Sequence, residues 1–165
     1  MRLKMPKKKP FERRTDIQKI HSQWRKLNGL HDRAEWSAAV VRAATAAEIA
    51  VNLAIRAELG GRQVTDNEVI DLMLKVANGL QGKFTRLLQP LVKEDDRAKQ
   101  LKKLWKIAEK INRSRNEIVH SGYFRSENHA KDTIDQCHAF VVPLVKIYEP
   151  NFELAKPTDE SPKSD

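Results

Sequence analysis

The sequence predicts an all-α protein, an antiparallel bundle of four main helices with an additional N-terminal helix. Apolar residues recur at spacings of three and four along most of the chain, which is the period of a helix face. Aromatic residues make up only 6% of the 165 residues, and there are only six Gly and seven Pro. This composition favours helix, and no stretch alternates as a β-strand does. The length suits one domain with a real core.

The chain divides into three parts by composition. We expect a flexible basic arm over residues 1–15, a single helical domain over 16–150 and a disordered polar tail over 151–165. Residues 1–14 hold seven Lys or Arg against one Glu, so they carry six of the nine net positive charges. Such an arm acts either as a solubilising tail or as a nucleic-acid contact. The second interpretation uses Lys7, Lys8, Lys9, Arg13 and Arg14.

Cysteine usage and hydropathy favour a cytoplasmic protein with no membrane association. Cys137 is the single cysteine, which excludes a disulfide framework and is compatible with a reducing compartment. The basic N-terminus is not followed by the apolar run of a secretory signal. No stretch of about 18 uncharged apolar residues is present to span a membrane.

Helix signals divide the first half of the chain into two helices. Asp16 can cap a helix that runs to about Lys26 and ends at Asn28-Gly29. A long second helix is expected from Asp32 to Leu59, stopped by Gly60-Gly61. The inward faces of this helix carry small side chains, which allow a neighbouring helix to approach closely. The small residues are Ala38, Ala39, Ala43, Ala44, Ala46, Ala47, Ala50 and Ala54.

Three further helices are expected in the second half. Thr65 to Glu68 forms a capping-box pattern that opens the third helix, with Val69, Met73, Val76, Ala77 and Leu80 inward. Asp95 or Asp96 can cap a central helix, and Ser126 can cap a last helix from about Glu127 to Tyr148.

The central helix carries a charge on its apolar face. Arg115 falls within a stripe at helical spacing, and an unpaired guanidinium among aliphatic side chains costs several kcal/mol. Glu48 lies on an apolar face of the second helix and raises the same question. We expect Glu48 to lie near Arg115 or His120, either as a structural salt bridge or to position a site. The stripe is Leu101, Leu104, Ala108, Ile111, Arg115 and Ile118.

The end of the central helix adds a group that can transfer protons. His120 is followed by Ser121 and Gly122, and a glycine suits the left-handed residue just past a helix end. Asn116 is four residues before His120, so its amide can orient the imidazole. A long arginine and a histidine in the last turn can both reach one phosphate. Such a pair can move a proton and neutralise developing charge.

Other kinds of chemical site lack support in the sequence. Residues 79–84 superficially suggest a phosphate loop, but the first glycine and the Ser or Thr after the lysine are missing. The five histidines have no Cys partners and no zinc-binding arrangement. There is no dinucleotide fingerprint. We therefore expect no metal or cofactor, and acid–base chemistry if the protein is an enzyme.

The segment Arg115-Asn116-Glu117-Ile118-Val119-His120 resembles the Arg-x-x-x-x-His motif of the HEPN superfamily. The polar residue after the arginine, the late bundle helix and the Ala-rich helix with Glu48 upstream all fit, so the resemblance covers roughly residues 32–149. Arg25 and His31 form a similar pair with five residues between them. That pair spans Asn28-Gly29 and therefore lies outside any single predicted helix.

The resemblance implies a fold, a partner and a reaction. HEPN ribonucleases are helical bundles that pair as two-fold dimers with a composite cleft, and they cut single-stranded RNA without a metal through its own 2′-hydroxyl. His120 would then transfer protons, Arg115 would stabilise charge on the phosphoryl group, and Asn116 would orient or bind. Glu48 would hold Arg115. Such proteins often serve as toxins or antiviral effectors, with an antitoxin or regulatory protein as a further partner.

Two alternatives remain open. A non-catalytic HEPN-like module would use Arg115 to bind a nucleotide, RNA or a partner protein. In an interaction domain, Arg115 and Glu48 would be a structural pair and His120 would only complete a helix end.

Overall fold

The computed structural model describes residues 9–93 and 96–157, which are helical and contain no strand. The all-α prediction is therefore confirmed. A 3₁₀ turn at Phe11–Arg13 precedes the first helix, and a π turn at Phe84–Leu88 joins the two short helices in the middle of the chain. The helices are α1 Asp16–Asp32, α2 Trp36–Gly61, α3 Asn67–Ala77, α4 Gly79–Lys83, α5 Gln89–Leu91, α6 Asp96–Ser121 and α7 Glu127–Tyr148.

Helix α2 is the centre of the helical bundle, and α1, α4, α6 and α7 pack against it. Its alanines are largely buried, so neighbouring helices approach its backbone closely, as its composition predicts. Helix α2 is long enough to cross a membrane, and an 18-residue window of it is apolar enough, with a mean hydropathy of 1.5. However, 61% of that window is buried inside the fold, which is the burial expected of a core helix.

Helix α1 begins and ends differently from the prediction. Thr15, not Asp16, is the N-cap: its hydroxyl accepts from the Gln18 amide at 3.2 Å, and the Gln18 side chain accepts from the Thr15 amide at 3.1 Å. The predicted end at Asn28-Gly29 is wrong, because α1 continues to Asp32. One more turn places Leu30 against the core. That burial outweighs the roughly 1 kcal/mol that a helical glycine costs.

The inward face of α3 was predicted only in part: Ala77 and Leu80 are buried, as expected, but the two valines are not. Asp66, not Thr65, caps the helix by accepting from the amides of Glu68 at 3.0 Å and Val69 at 3.2 Å. Val69 and Val76, expected inward, are 46% and 70% exposed. Each residue turns a helix by about 100°, so a neighbouring stripe takes the core position. The buried residues are Ile70, Leu74 and Ala77.

Helices α6 and α7 follow the sequence patterns closely. The aliphatic residues of the α6 stripe from Leu101 to Ile111 are buried, as predicted. Ser126 caps α7 by accepting from the His129 amide at 3.3 Å, and α7 spans the predicted residues. Asp95, the alternative cap of α6, lies outside the described residues.

The C-terminal segment packs on the bundle instead of leaving it at residue 151. Phe152 and Leu154 are buried. The Trp24 indole donates to the Ala155 carbonyl at 2.7 Å, and His138 Nε2 lies 2.6 Å from the Leu154 carbonyl oxygen. The predicted disordered tail is therefore wrong for residues 151–157, since its two apolar side chains are buried in the core. Residues 158–165 lie outside the described residues.

The predicted flexible arm is likewise wrong for residues 11–15. Phe11 packs against the core. The Arg14 guanidinium lies 5.8 Å from the Phe11 ring centroid and donates to Ser22 Oγ at 2.9 Å. These contacts attach the segment to α1. Residues 1–8 lie outside the described residues.

Candidate functional site

The residues predicted to form a site line one pocket of about 620 Å³. Glu48 comes from the middle of α2, and Arg115, Asn116 and His120 come from the last two turns of α6. The end of α3 and helix α4 form the opposite wall. Four residues from two helices far apart in sequence therefore meet at one polar cavity.

A helix end of the αL type, with a glycine just past α6, places His120 at the pocket. The Gly122 amide donates to the Ile118 carbonyl at 3.2 Å, and the Tyr123 amide donates to the Glu117 carbonyl at 3.4 Å. Gly122 has φ 66°, as its predicted place just past the helix end requires. His120 consequently lies in the final turn of α6, where its side chain is exposed.

Beyond Gly122, the chain is held to two helices. Arg125 forms an ion pair with Glu117 of α6, and its backbone amide donates to Ser37 Oγ at 2.9 Å. Arg125 is five residues after His120. These contacts therefore attach the segment just past α6 to both α2 and α6.

The expected pairing of Glu48 with Arg115 is wrong. Glu48 Oε1 accepts from Lys83 Nζ of α4 at 2.6 Å. Within the described residues, Arg115 forms no ion pair, and its Nη1 donates to Asn116 Oδ1 at 3.1 Å. Lys83 is 8% exposed, and a buried ammonium requires an anion at close range. Lys83 therefore takes the carboxylate that the sequence assigned to Arg115.

Within the described residues, Asn116 does not form the expected hydrogen bond with His120 either. The Asn116 carbonyl oxygen instead accepts from Arg115. Asn116 thus orients the guanidinium, and the exposed imidazole is left open to solvent and to a ligand. The two groups that carry the predicted chemistry both face the pocket.

A tight turn forms the pocket wall opposite α6. Asn78 and Gly79 have positive φ, at 45° and 70°, which the glycine adopts without strain. A Cβ added to Gly82 would lie 1.7 Å from the Ala77 carbonyl oxygen, so the two backbones touch here. The π turn that follows buries Phe84 against the Trp105 ring, with centroids 5.1 Å apart. Single π turns often accompany functional sites.

Sequence reasoning missed the amide residues of this wall and the buried lysine. Asn112 Nδ2 donates to Gln81 Oε1 at 3.3 Å across the pocket. Asn112 is three residues before Arg115 and four before Asn116, so helix periodicity alone was a signal that could have found it. Lys83 lies in the stretch that had been excluded as a phosphate loop, and nothing local marks it as the partner of Glu48.

A buried polar cluster fixes α6 to α7 behind the pocket. Ser114 Oγ lies 3.1 Å from His129 Nε2 and 3.3 Å from Thr133 Oγ1. The Thr133 hydroxyl also donates to the His129 carbonyl at 2.9 Å. Ser114 is only 8% exposed, and no carboxylate contacts His129 in the described part of the chain. This cluster joins α6 to α7, and its buried serine lacks the access that a nucleophile needs.

Of the basic N-terminal residues, the described ones, Lys9, Arg13 and Arg14, do not line this pocket. Lys9 and Arg13 are exposed, and Arg14 is attached to α1 as described above. This end of α1 lies beside Arg56, whose Nε is 3.2 Å from Asp16. Arg56 is eight residues from Glu48, or about 12 Å along α2. Lys7 and Lys8 lie outside the described residues.

The pocket is suited to bind an anion. Because the charge of Glu48 is balanced by Lys83, the guanidinium groups of Arg115 and Arg86 leave the pocket lining positive. The described residues contain no cluster of three or more His, Cys, Asp or Glu that could hold a metal ion. Comparisons with models of known families, curated proteins and solved structures found no match.

Proposed function

We propose that this protein is a metal-independent endoribonuclease of the HEPN type that cleaves single-stranded RNA. The main support for this proposal is that Arg115 and His120 line one polar pocket. The Arg115 guanidinium has no carboxylate partner among the described residues, and the His120 imidazole is exposed. A free guanidinium can bind a phosphate. An exposed imidazole is accessible to a substrate and can donate or accept a proton.

The proposed reaction uses the RNA's own 2′-hydroxyl as nucleophile. Its oxygen bonds to the adjacent phosphorus as the bond from phosphorus to the 5′-oxygen breaks, leaving a 2′,3′-cyclic phosphate and a 5′-hydroxyl. His120 transfers protons in this exchange, and Arg115 stabilises the charge on the phosphoryl oxygens. Asn116 orients Arg115 through their hydrogen bond.

We further propose that the helices form an antiparallel bundle of four main helices and that two copies pair around the pocket. Large apolar side chains are exposed along α3 and at the end of α6, and both helices reach the pocket through their C-terminal ends. Apolar patches of this kind commonly mark protein interfaces. In sedimentation experiments, the wild-type protein should be a dimer, and Phe124→Ser should dissociate to monomers more readily. The exposed residues are Val69, Leu72, Val76, Val119, Tyr123 and Phe124.

The activity test is cleavage of a labelled single-stranded RNA in excess EDTA. Wild type should cleave, and His120→Ala and Arg115→Ala should each lose about 100-fold or more in rate. Arg25→Ala and His31→Ala are matched controls, since they remove the same residue types from α1 and should keep full activity. Equal loss in the controls would contradict the assignment.

A non-catalytic module that binds a nucleotide or RNA is the second candidate. The amide groups of Gln81, Asn112 and Asn116 favour it, because they can hydrogen-bond base edges. This reading predicts affinity without turnover in the same assay. It also predicts that Arg115→Ala weakens binding more than His120→Ala does.

The biological role extends the proposal. We propose a cytoplasmic toxin or antiviral effector, controlled by an antitoxin or another regulatory protein. Induced expression in a bacterial host should slow growth for wild type and not for His120→Ala. Equal growth of the two strains at matched protein levels would count against this role.

A further inference from the structure

The structure gives Glu48 a partner that the sequence did not assign, the buried Lys83. The Lys83 and Glu48 side chains are 10% and 31% exposed, and their charged atoms are 2.6 Å apart. Lys83 enters from α4, immediately after the tight turn that forms the pocket wall. Its ammonium is therefore fixed by the same backbone that shapes the site.

Glu48 also lies beside Arg115. Both residues line a small enclosed cavity of about 40 Å³ between α2, α4 and α6. Among the described residues lining that cavity, Arg115 is the only cation. The carboxylate therefore has a second cation close by, yet pairs with Lys83.

We propose that Lys83 is a positioning residue that engages Glu48 and so keeps the Arg115 guanidinium free for a phosphate group. A partly buried carboxylate that loses its counter-ion takes the nearest cation. Without Lys83, that cation is Arg115, and a carboxylate–guanidinium pair occupies the same donors that a phosphate uses. This inference rests on the proposed function and deepens it.

A simple structural role for the ion pair makes a different prediction. If Lys83 and Glu48 only join α4 to α2, then removing either charge or both should loosen the helices, and RNA binding should follow stability. If Lys83 works by engaging Glu48, then neutralising Glu48 should reverse the effect of losing Lys83. The second substitution thus separates the two roles.

The experiment measures the affinity of full-length variants for a single-stranded RNA whose 2′-oxygens are methylated to prevent cleavage. Lys83→Met should weaken binding by about tenfold to a hundredfold, the effect of losing a charge-assisted contact to phosphate. The double variant Lys83→Met/Glu48→Gln should recover most of that affinity. Lys83→Gln, which keeps a hydrogen-bond donor near Glu48, serves as a milder substitution should Lys83→Met not fold. Unchanged affinity in the folded single variants, or no recovery in the double variant, would overturn the proposal.

A second readout needs no RNA and keeps the two proposals distinct. In ¹⁵N NMR spectra, pairing with a carboxylate slows the exchange of the Arg115 Nε proton and shifts its resonance. This change should be present in Lys83→Met and absent from wild type and the double variant. If wild type binds no RNA but the change is seen, the ribonuclease proposal fails and the role of Lys83 stands. If the change is not seen, Lys83 does not control Arg115.

Discussion

Gly82 offers a sharp test of the pocket wall. A Cβ at this position would lie 1.7 Å from the Ala77 carbonyl oxygen and 2.9 Å from its carbon, both of which are backbone atoms. The end of α3 and helix α4 must separate by more than about 1 Å before the contact reaches the 3.0 Å that real Cβ atoms respect. Forcing a packed interior apart in this way typically costs about 1–3 kcal/mol.

The substitution Gly82→Ala also brings a benefit that must be subtracted. Replacing a glycine by alanine at a compatible position stabilises a protein by about 0.4–1 kcal/mol, chiefly through the unfolded chain. We therefore expect Gly82→Ala to lower the free energy of unfolding by about 1.3 kcal/mol, and by no more than about 2.6 kcal/mol. The matched control is Gly60→Ala near the end of α2, where an added Cβ meets nothing within 4 Å. The control should raise the free energy of unfolding by about 0.4–1 kcal/mol.

Urea denaturation followed by circular dichroism measures both variants under the same conditions. The two should fall on opposite sides of wild type. If Gly82→Ala is as stable as Gly60→Ala, the close packing of α3 against α4 described above is contradicted, and so is the pocket wall that this packing forms.

Three further predictions concern charged groups. Arg115→Ala should change the free energy of unfolding by less than about 1 kcal/mol, because the substitution leaves no buried partner unpaired. A loss of about 3–5 kcal/mol would instead indicate that Arg115 is paired with Glu48. Burial raises the pKa of Asp16 above its ordinary 3.8, although Arg56 acts in the opposite direction. The contribution of Asp16 to the stability of the folded state is therefore full below pH 3.8 and is lost as the pH rises through the folded-state pKa. The unfolding free energy of Asp16→Asn minus that of wild type should therefore increase with pH across this window in denaturant titrations. Deleting residues 1–8, which keeps the contacts of Phe11 and Arg14 with the bundle, should weaken RNA binding and flatten its salt dependence; unchanged affinity at low salt would exclude a role for these residues.

Local patterns were sufficient where one element determines the outcome. Gly122 ended α6 as predicted because a left-handed residue after a helix favours glycine whatever surrounds it. Ser126 capped α7 for a similarly local reason. Arg115 and His120 also line one pocket, although five residues of ideal helix turn them about 140° apart, because a long arginine side chain and a last-turn histidine can both reach the same space.

Tertiary contacts decided the features that sequence reasoning did not reach. The choice of Lys83 over Arg115 as partner for Glu48 depends on how the turn after α3 places α4, and no local pattern records that geometry. Helix α1 passes through Asn28-Gly29 because Leu30 packs against the core. The prediction for α3 failed at Val69 and Val76, which remain exposed, because apolar residues lie on more than one side of this helix.

The central claim is that the Arg115 and His120 pocket cleaves RNA through the substrate's own 2′-hydroxyl. The most direct measurement compares an RNA with the same RNA carrying a single 2′-deoxynucleotide at the mapped cleavage position, in EDTA. The account predicts that wild type cuts the first into products with 2′,3′-cyclic phosphate and 5′-hydroxyl ends and leaves the second intact at that position. Cleavage of both substrates at equal rates, or products with 3′-hydroxyl ends, would contradict it.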